Sequence, residues 1–304
     1  MNPVLILGGA HIDRKGAMED DYIEGASIPG TIEEVVGGGA FNVAANLSRL
    51  GCDVTFISPR AQDTNAAYVA ETIKPLNIED KPVICSGSTP SYTALLDRHG
   101  ELIAALADMK LYDGLTRGDF LTAQVRDELK NSKILITDAN LTEELLIEIA
   151  NHIPDDCHWY AIAVSPAKVV RYLPVLKRIN CLAMNLNEAK AITKLSEPSE
   201  MPEALMQLGL RGAIITNGAN DIIGFLEGHS PISLTPSPAT NVIDVTGAGD
   251  ATLSGFVTMI EKDHTIKDAL EFGMAAARLT IAIKGAQHPS LTHDLVQQEL
   301  EQSQ

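Results

Sequence analysis

Asp244-Val245-Thr246-Gly247-Ala248-Gly249-Asp250 stands between an extended run, Ala239 to Ile243, and a helical pattern with Leu253, Phe256, Val257 and Ile260 at i, i+3, i+4 and i+7. Gly247 and Gly249 open backbone conformations that a Cβ forbids. A glycine turn that starts a helix points unpaired N–H groups outward, and the helix dipole adds partial positive charge, so the stretch predicts an anion site. Asp250 then sets a carboxylate in the mouth of that site. One reading joins both features: the hole stabilises a transferring phosphoryl group while Asp250 takes the proton of the attacking hydroxyl. The other makes Asp250 a helix-start acid favoured by the dipole, and the glycines a tight turn. The remainder of the chain has to decide between them.

The 304 residues are 45% hydrophobic and 21% charged, an ordinary globular composition for one large α/β domain or two smaller ones. No apolar run reaches the roughly 18 residues of a membrane span. Met1-Asn2-Pro3-Val4 lacks a basic leader region, so a secretory signal is not expected. A net charge of −17 argues against a long nucleic acid as partner, while a small anion can still bind through a local N–H hole and Mg²⁺. Cys52, Cys85, Cys157 and Cys181 are scattered without a C-x-x-C pair, which predicts reduced thiols in a cytoplasmic protein.

Val4 to Leu7, ending in Gly8-Gly9, reads as a buried first strand. Asp13 follows it, either lining a crevice at the carboxyl end of the sheet or standing as a solvated loop carboxylate. Gly37-Gly38-Gly39-Ala40-Phe41-Asn42 precedes a helix with Val43, Leu47 and Leu50 on one face and Gly51 as its stop. Either these glycines bring N–H groups to a ligand while Asn42 meets sugar hydroxyls, or they form a simple turn. The sixth glycine of the dinucleotide fingerprint is missing, and no G-K-[ST] loop occurs. Ser27–Val36 and a hairpin of Tyr92–Leu96 with Glu101–Leu106 suggest an accessory sheet, a water-excluding lid or a dimer interface.

From about residue 130 strands and helices alternate: Ile134–Asp138, Trp159–Val164, Cys181–Met184 and Ala213–Thr216, with amphipathic segments between. Such alternation predicts a parallel sheet with helices on both faces. Asn185 and Glu188 fall on one side of a starting helix, arranged to hold water around Mg²⁺ or to close a capping box. Thr216-Asn217-Gly218-Ala219 ends the next strand as a phosphate loop or an ordinary turn. The Ala-rich segment Asp268–Ile283 reads as the last helix.

In order and over nearly the whole chain, these motifs resemble the ribokinase-like (PfkB-type) carbohydrate and nucleoside kinase family. Gly37-Gly38-Gly39 with Asn42 is similar to its N-terminal signature, and Asp244-x-Thr246-Gly247-Ala248-Gly249-Asp250 to its C-terminal one. The resemblance implies an α/β fold, a Rossmann-type mostly parallel sheet with helices on both faces plus a small β lid. It implies a single kinase domain over residues 1–304, with lid segments at about 14–36 and 82–110. It also implies ATP, Mg²⁺ and transfer of the γ-phosphate to a primary hydroxyl. By carry-over, Asp250 is the base and the N–H groups of Gly247, Ala248 and Gly249 are the anion hole. Asp13, Gly38, Gly39 and Asn42 hold the substrate. Asn185, Thr216, Gly218, Ala219 and Gly249 hold ATP, and Glu188 holds Mg²⁺ through water. Asp244 and Thr246, with backbone near Gly285 and the hydroxyl of Ser290, resemble the monovalent-cation (K⁺) site of many members.

Thr89 to Asp97, with Gly100-Glu101 and Ala107-Asp108-Met109, is similar to the lid of the pseudouridine kinase branch. That adds Tyr92, Thr93 and Asp108 to the substrate-binding set and implies 5′-phosphorylation of pseudouridine. Other acceptors in view are ribose, a ketose and adenosine. His11 departs from the Asn common at its position, and Asp221 from a glycine. A homodimer through the lid follows from its need for cover. Against this stand a non-catalytic sugar- or nucleotide-binding regulator on the same fold and a nicotinamide oxidoreductase. The intact Asp250 motif argues against the first, and the missing fingerprint against the second.

Overall fold

The computed structural model describes residues 2–239 and 241–303. Among them, a nine-stranded sheet runs in the order Ile232–Leu234, Ile222–Leu226, Gly212–Thr216, Cys181–Asn185, His158–Ile162, Ile134–Asp138, Val4–Leu7, Val54–Ile57, Ile78–Asp80. The seven strands from Gly212–Thr216 onward are parallel, and the two at the other edge are antiparallel. Every residue of Val4–Leu7 and Ile134–Asp138 is buried, which is why Val4–Leu7 and Ile134–Ile136 read as unbroken apolar runs. Alternate side chains feed opposite cores: Leu5, Leu7, Leu135 and Trp159 on one face, Val4, Ile6, Ile136 and Phe256 on the other. No helix among the described residues is long and apolar enough to cross a membrane.

The strand order creates the crevice that matters. From Val4–Leu7 the chain builds outward to Val54–Ile57 and Ile78–Asp80, then returns to lay Ile134–Asp138 on the other side. Connections diverge at that switch point, so a cleft opens at the carboxyl ends of these strands. The Gly39–Arg49 and Ala248–Ile260 helices cover the same face of the sheet there.

A separate four-stranded sheet, in the order Gly30–Gly37, His11–Met18, Ser91–Leu96, Leu102–Asp108, stands off this body. Its strands therefore lie within 11–37 and 91–108, the first range slightly wider than the expected segment at about 14–36 and the second narrower than that at about 82–110. Asp13 lies in a strand of this sheet, not in a solvated loop. Register partners share a face, so one face carries Asp13, Lys15, Glu33, Tyr92 and Ala107, the other Arg14, Ile32, Thr93, Leu95, Leu106 and Asp108. Lys15 of the first face reaches Asp244, which turns that face toward the cleft, while Ile32 and Leu106 stand 74% and 72% exposed on the second.

Three further readings change. Ala239 and Asn241–Ile243 form no strand, and Thr240 lies outside the described residues; Ile243 N–H donates to Ile281 O instead. The Ala-rich helix spans Ile266–Ile281 and buries Ala269, Ala275 and Ala276 in helix packing. It is followed by another, His293–Gln302, whose one buried residue, Val296, leaves little apolar period to read.

Candidate active site

Asp250 lies in the first turn of the Ala248–Ile260 helix, partly exposed at the floor of the cleft. Asn42 Nδ2 donates to its Oδ2 at 2.8 Å, Gln287 Nε2 donates to Asn42 Oδ1 at 2.9 Å, and Arg49 Nη1 to Gln287 Oε1 at 3.2 Å. This relay draws together three segments that are far apart in sequence and fixes the carboxylate rotamer. Burial raises the Asp250 carboxyl, the Asn42 hydrogen bond opposes it, and the negative charges of Asp138 and Glu188 raise it further, to about 7. A carboxylate with that value is half ionised near neutrality and suits proton abstraction. Asn42 spends one donor and one acceptor in the relay and keeps a second of each.

Gly247 caps the same helix at φ +80°, where a Cβ would lie 2.0 Å from Ala286 O, so glycine is required by both torsion and space. Ala248 N–H donates weakly to Val245 O at 3.4 Å. Gly249 and Asp250 N–H belong to the first turn, which has no carbonyl four residues back within the helix. A Cβ at Gly249 would meet nothing within 4 Å, so the turn opens onto free space. The Asp250 N–H thus joins those expected at Gly247, Ala248 and Gly249, with Ala248 N–H partly engaged.

Across the cleft, Gly38 has φ +110°, and a Cβ there would sit 2.4 Å from Gly9 O. Gly39 borders Asp250: its ideal Cβ position is 3.6 Å from Asp250 Oδ1. Asp138 braces this junction from the switch point, accepting from Gly9 N at 3.0 Å, Ala40 N at 3.2 Å, Asn140 N at 3.0 Å and Asn140 Nδ2 at 2.9 Å. Asp13 Oδ1 lies 3.4 Å from His11 Nε2, and its other oxygen packs against Gly37. Tyr92 pairs with Asp13 and shares its face. Thr93 and Asp108 do not: strand alternation turns them to the outer face, away from Asp13.

Asn185 and Thr216 end neighbouring parallel strands in register. Asn185 and Glu188 form the capping box: Asn185 Oδ1 accepts from Asn187 and Glu188 N–H, and Glu188 Oε2 accepts from Asn185 N–H at 2.7 Å. Burial pushes the Glu188 carboxyl up, and the Asn185 hydrogen bond pulls against it. One Glu188 oxygen stays outside the box, so capping and metal contact are compatible. Among the described residues no three His, Cys, Asp or Glu side chains gather as a metal site, so a Mg²⁺ here would draw most ligands from phosphate and water. Gly218, at φ +60°, turns the chain after Thr216, and Ala219 is exposed beside it.

Asp244 is engaged differently from the K⁺ expectation. Its Oδ1 accepts Thr246 N–H at 3.0 Å, while Oδ2 accepts Gly285 N–H at 3.3 Å and the Lys15 ammonium at 3.2 Å. Burial alone would raise this carboxyl, but hydrogen bonds from Thr246 and Lys15 outweigh it and pull it to about 2. Ser290 is exposed, its N–H on His288 Nδ1. Lys15, Gln287 and Asp138 escaped the sequence reading. Only Asp138, polar at a strand's carboxyl end, carried a local signal.

The family model for pfkB family carbohydrate kinases matches residues 1–293. The pseudouridine kinase of Escherichia coli is 27% identical over 304 aligned positions, covering 95% of this chain and 93% of that protein. A carbohydrate kinase from Agrobacterium tumefaciens superposes with a TM-score of 0.87 at 41% identity, covering 99% of this chain and 97% of that one. Arabidopsis thaliana ribokinase, solved with ribose and ATP, shares the fold at a TM-score of 0.84 and 19% identity, with 98% of each chain covered. A cleft built on Asp250, two glycine turns and a ribokinase-like sheet thus has one family assignment: the chain belongs to the pfkB family of carbohydrate kinases, sugar or nucleoside kinases that transfer phosphate to an alcohol.

Proposed function

We propose that this kinase phosphorylates the 5′-hydroxyl of a nucleoside, pseudouridine above the alternatives, from ATP with Mg²⁺. The observation that carries the chemistry is Asp250, raised to about 7 and held by Asn42 beside first-turn N–H groups that face open space. In this reading Asp250 accepts the proton of the acceptor hydroxyl as the oxygen attacks phosphorus. The Gly249 and Asp250 N–H groups and the helix dipole stabilise the charge on the transferring group. Glu188 offers its free oxygen to the shell of Mg²⁺, which neutralises phosphate charge when bound. Asn185, Thr216, Gly218 and Ala219 flank the nucleotide, and Asp13, Gly38, Gly39 and Tyr92 the acceptor.

The lid sequence and the relation to E. coli pseudouridine kinase favour that nucleoside. A free sugar is the second reading, favoured by the ribose-bound neighbour. The outer face of the small sheet, with Ile32, Leu95 and Leu106 exposed, supports a homodimer that covers it, with the sheet as lid. A cytoplasmic setting suits an ATP-consuming enzyme with four free cysteines. The test is ADP release with Mg-ATP against pseudouridine, uridine, adenosine, ribose and fructose, with the product located by phosphorus NMR. Turnover confined to a free sugar overturns the nucleoside assignment and leaves Asp250 in place. Absence of ADP release with every acceptor, and with a wider sugar panel, overturns the base assignment too.

A further inference from the structure

The K⁺ expected beside the anion hole meets a donor set that does not suit it. Both Asp244 oxygens already accept hydrogen bonds, and one full positive charge, the Lys15 ammonium, faces the carboxylate. A hard cation requires oxygens turned toward a common point, and a neighbouring ammonium repels it. We propose that Lys15 supplies the positive charge at Asp244 in place of a monovalent metal ion, so that this kinase turns over without potassium. The inference rests on the kinase reading of the cleft.

The placement is part of the architecture. Lys15 lies on the inward face of the His11–Met18 strand, two residues from Asp13 and on the same side. Its cross-strand partner Glu33 accepts from Lys284, which precedes Gly285. Two ion pairs therefore run from the small sheet to the two segments that flank the Gly247 turn. Those segments touch: Gly285 N–H reaches Asp244, and Ala286 O packs on Gly247. Holding Asp244 neutralised and tied to Gly285 keeps the turn in the shape that bares the Gly249 and Asp250 N–H groups. It also removes a negative charge from the approach of a polyphosphate, which matters in a chain of net charge −17. The Asp244 side chain is 15% exposed and Lys15 42%, so the ammonium meets a carboxylate that is itself mostly withdrawn from solvent.

The experiment compares the full-length wild type and Lys15→Met in potassium chloride and in tetramethylammonium chloride at equal ionic strength, by ADP release and by melting temperature. The wild type is expected to show the same rate and melting temperature in both salts. Lys15→Met is expected to lose about tenfold or more in rate in tetramethylammonium and to regain most of it in potassium. Potassium is also expected to raise the melting temperature of the variant only. Wild-type activation by potassium of about tenfold overturns the proposal, and needs no variant to fold. So does a variant as fast as wild type without potassium, or one that potassium does not restore. If no acceptor gives ADP in either salt, the kinase reading fails separately, and the melting data decide: stabilisation of the wild type by potassium refutes the substitution, stabilisation of the variant alone supports it.

Discussion

Replacing Asn42 by alanine tests how the cleft sets its base. Asn42 Nδ2 is the side-chain donor to the Asp250 carboxylate, at 2.8 Å, and the bond holds the carboxyl down against burial and two neighbouring negative charges. A hydrogen bond to a charged group contributes about 1.5–3 kcal/mol. The partial exposure of Asp250 argues for the lower end, which corresponds to about one pKa unit. The carboxyl then moves from about 7 to roughly 8. Because the base must be ionised, activity is lost as pH falls through this value, and removing a group that favours the charged form moves the loss upward. Near neutrality the ionised fraction drops from about one half to about one tenth, so kcat/KM falls about fivefold, whereas above about pH 9 the two proteins converge.

The assay is kcat/KM for the acceptor across pH 5.5 to 9.5 at saturating Mg-ATP, so that the ascending limb belongs to the enzyme–Mg-ATP complex before the acceptor binds. A displaced limb with an unchanged plateau is the expected result. A lowered plateau with an unmoved midpoint refutes the reasoning, because Asn42 then acts on the substrate hydroxyls and not on Asp250. A wild-type midpoint near the ordinary carboxyl value refutes it at an earlier step, by removing the raised Asp250.

Asp250→Asn should reduce kcat by ~10² or more with little change in nucleotide affinity by calorimetry. It should also be more stable than wild type at pH 8 by about 1–2 kcal/mol. The sign follows from a native carboxyl near 7 against roughly 3.9 unfolded, so that wild-type stability falls as pH rises from about 4 to about 7, a slope the variant lacks in thermal melts. Gly247→Ala puts a Cβ into Ala286 O and keeps φ positive, so a loss of about 1–3 kcal/mol in denaturant titration, together with weakened ATP binding, is expected. Leu106→Asp places a charge on the outer face of the small sheet and should give a monomer by light scattering where the wild type is a dimer; a wild-type monomer would remove the premise.

What could be read from the sequence is what leaves a local pattern. The parallel strands announce themselves because helices bury both faces, and Leu253, Phe256 and Val257 mark the helix behind Asp250 because all three enter the core. The strand His11–Met18 left no such mark. Its inward Lys15 pairs with Asp244 and its outward Arg14 with Glu34, so polar residues occupy both faces and the alternation disappears. The capping box at Asn185 was legible because it is closed within one turn. The contacts that define the site, Asn42 with Asp250, Gln287 with Asn42 and Lys15 with Asp244, each join residues more than 200 positions apart, and no local propensity encodes them. The division of Tyr92 from Thr93 and Asp108 was missed for a different reason: a motif copies residues from a relative, but period-two alternation decides which of them share a face.

The same geometry is the reason Asp250, of the carboxylates near the switch point, is the one proposed to move a proton. Asp138 is saturated by four N–H donors and serves as a brace. Glu188 has one oxygen committed to the start of its own helix. Asp244 is matched by an ammonium and two backbone N–H groups, which lock it in the ionised form. Asp250 has a single amide donor, borders the open space over Gly249, and feels the charges of Asp138 and Glu188. Each hydrogen bond that a carboxylate accepts favours its charged form and ties its lone pairs. Asp250 therefore combines a raised proton affinity with an oxygen free to receive the proton. A fully hydrogen-bonded Asp250 would make a more stable fold and a poorer base.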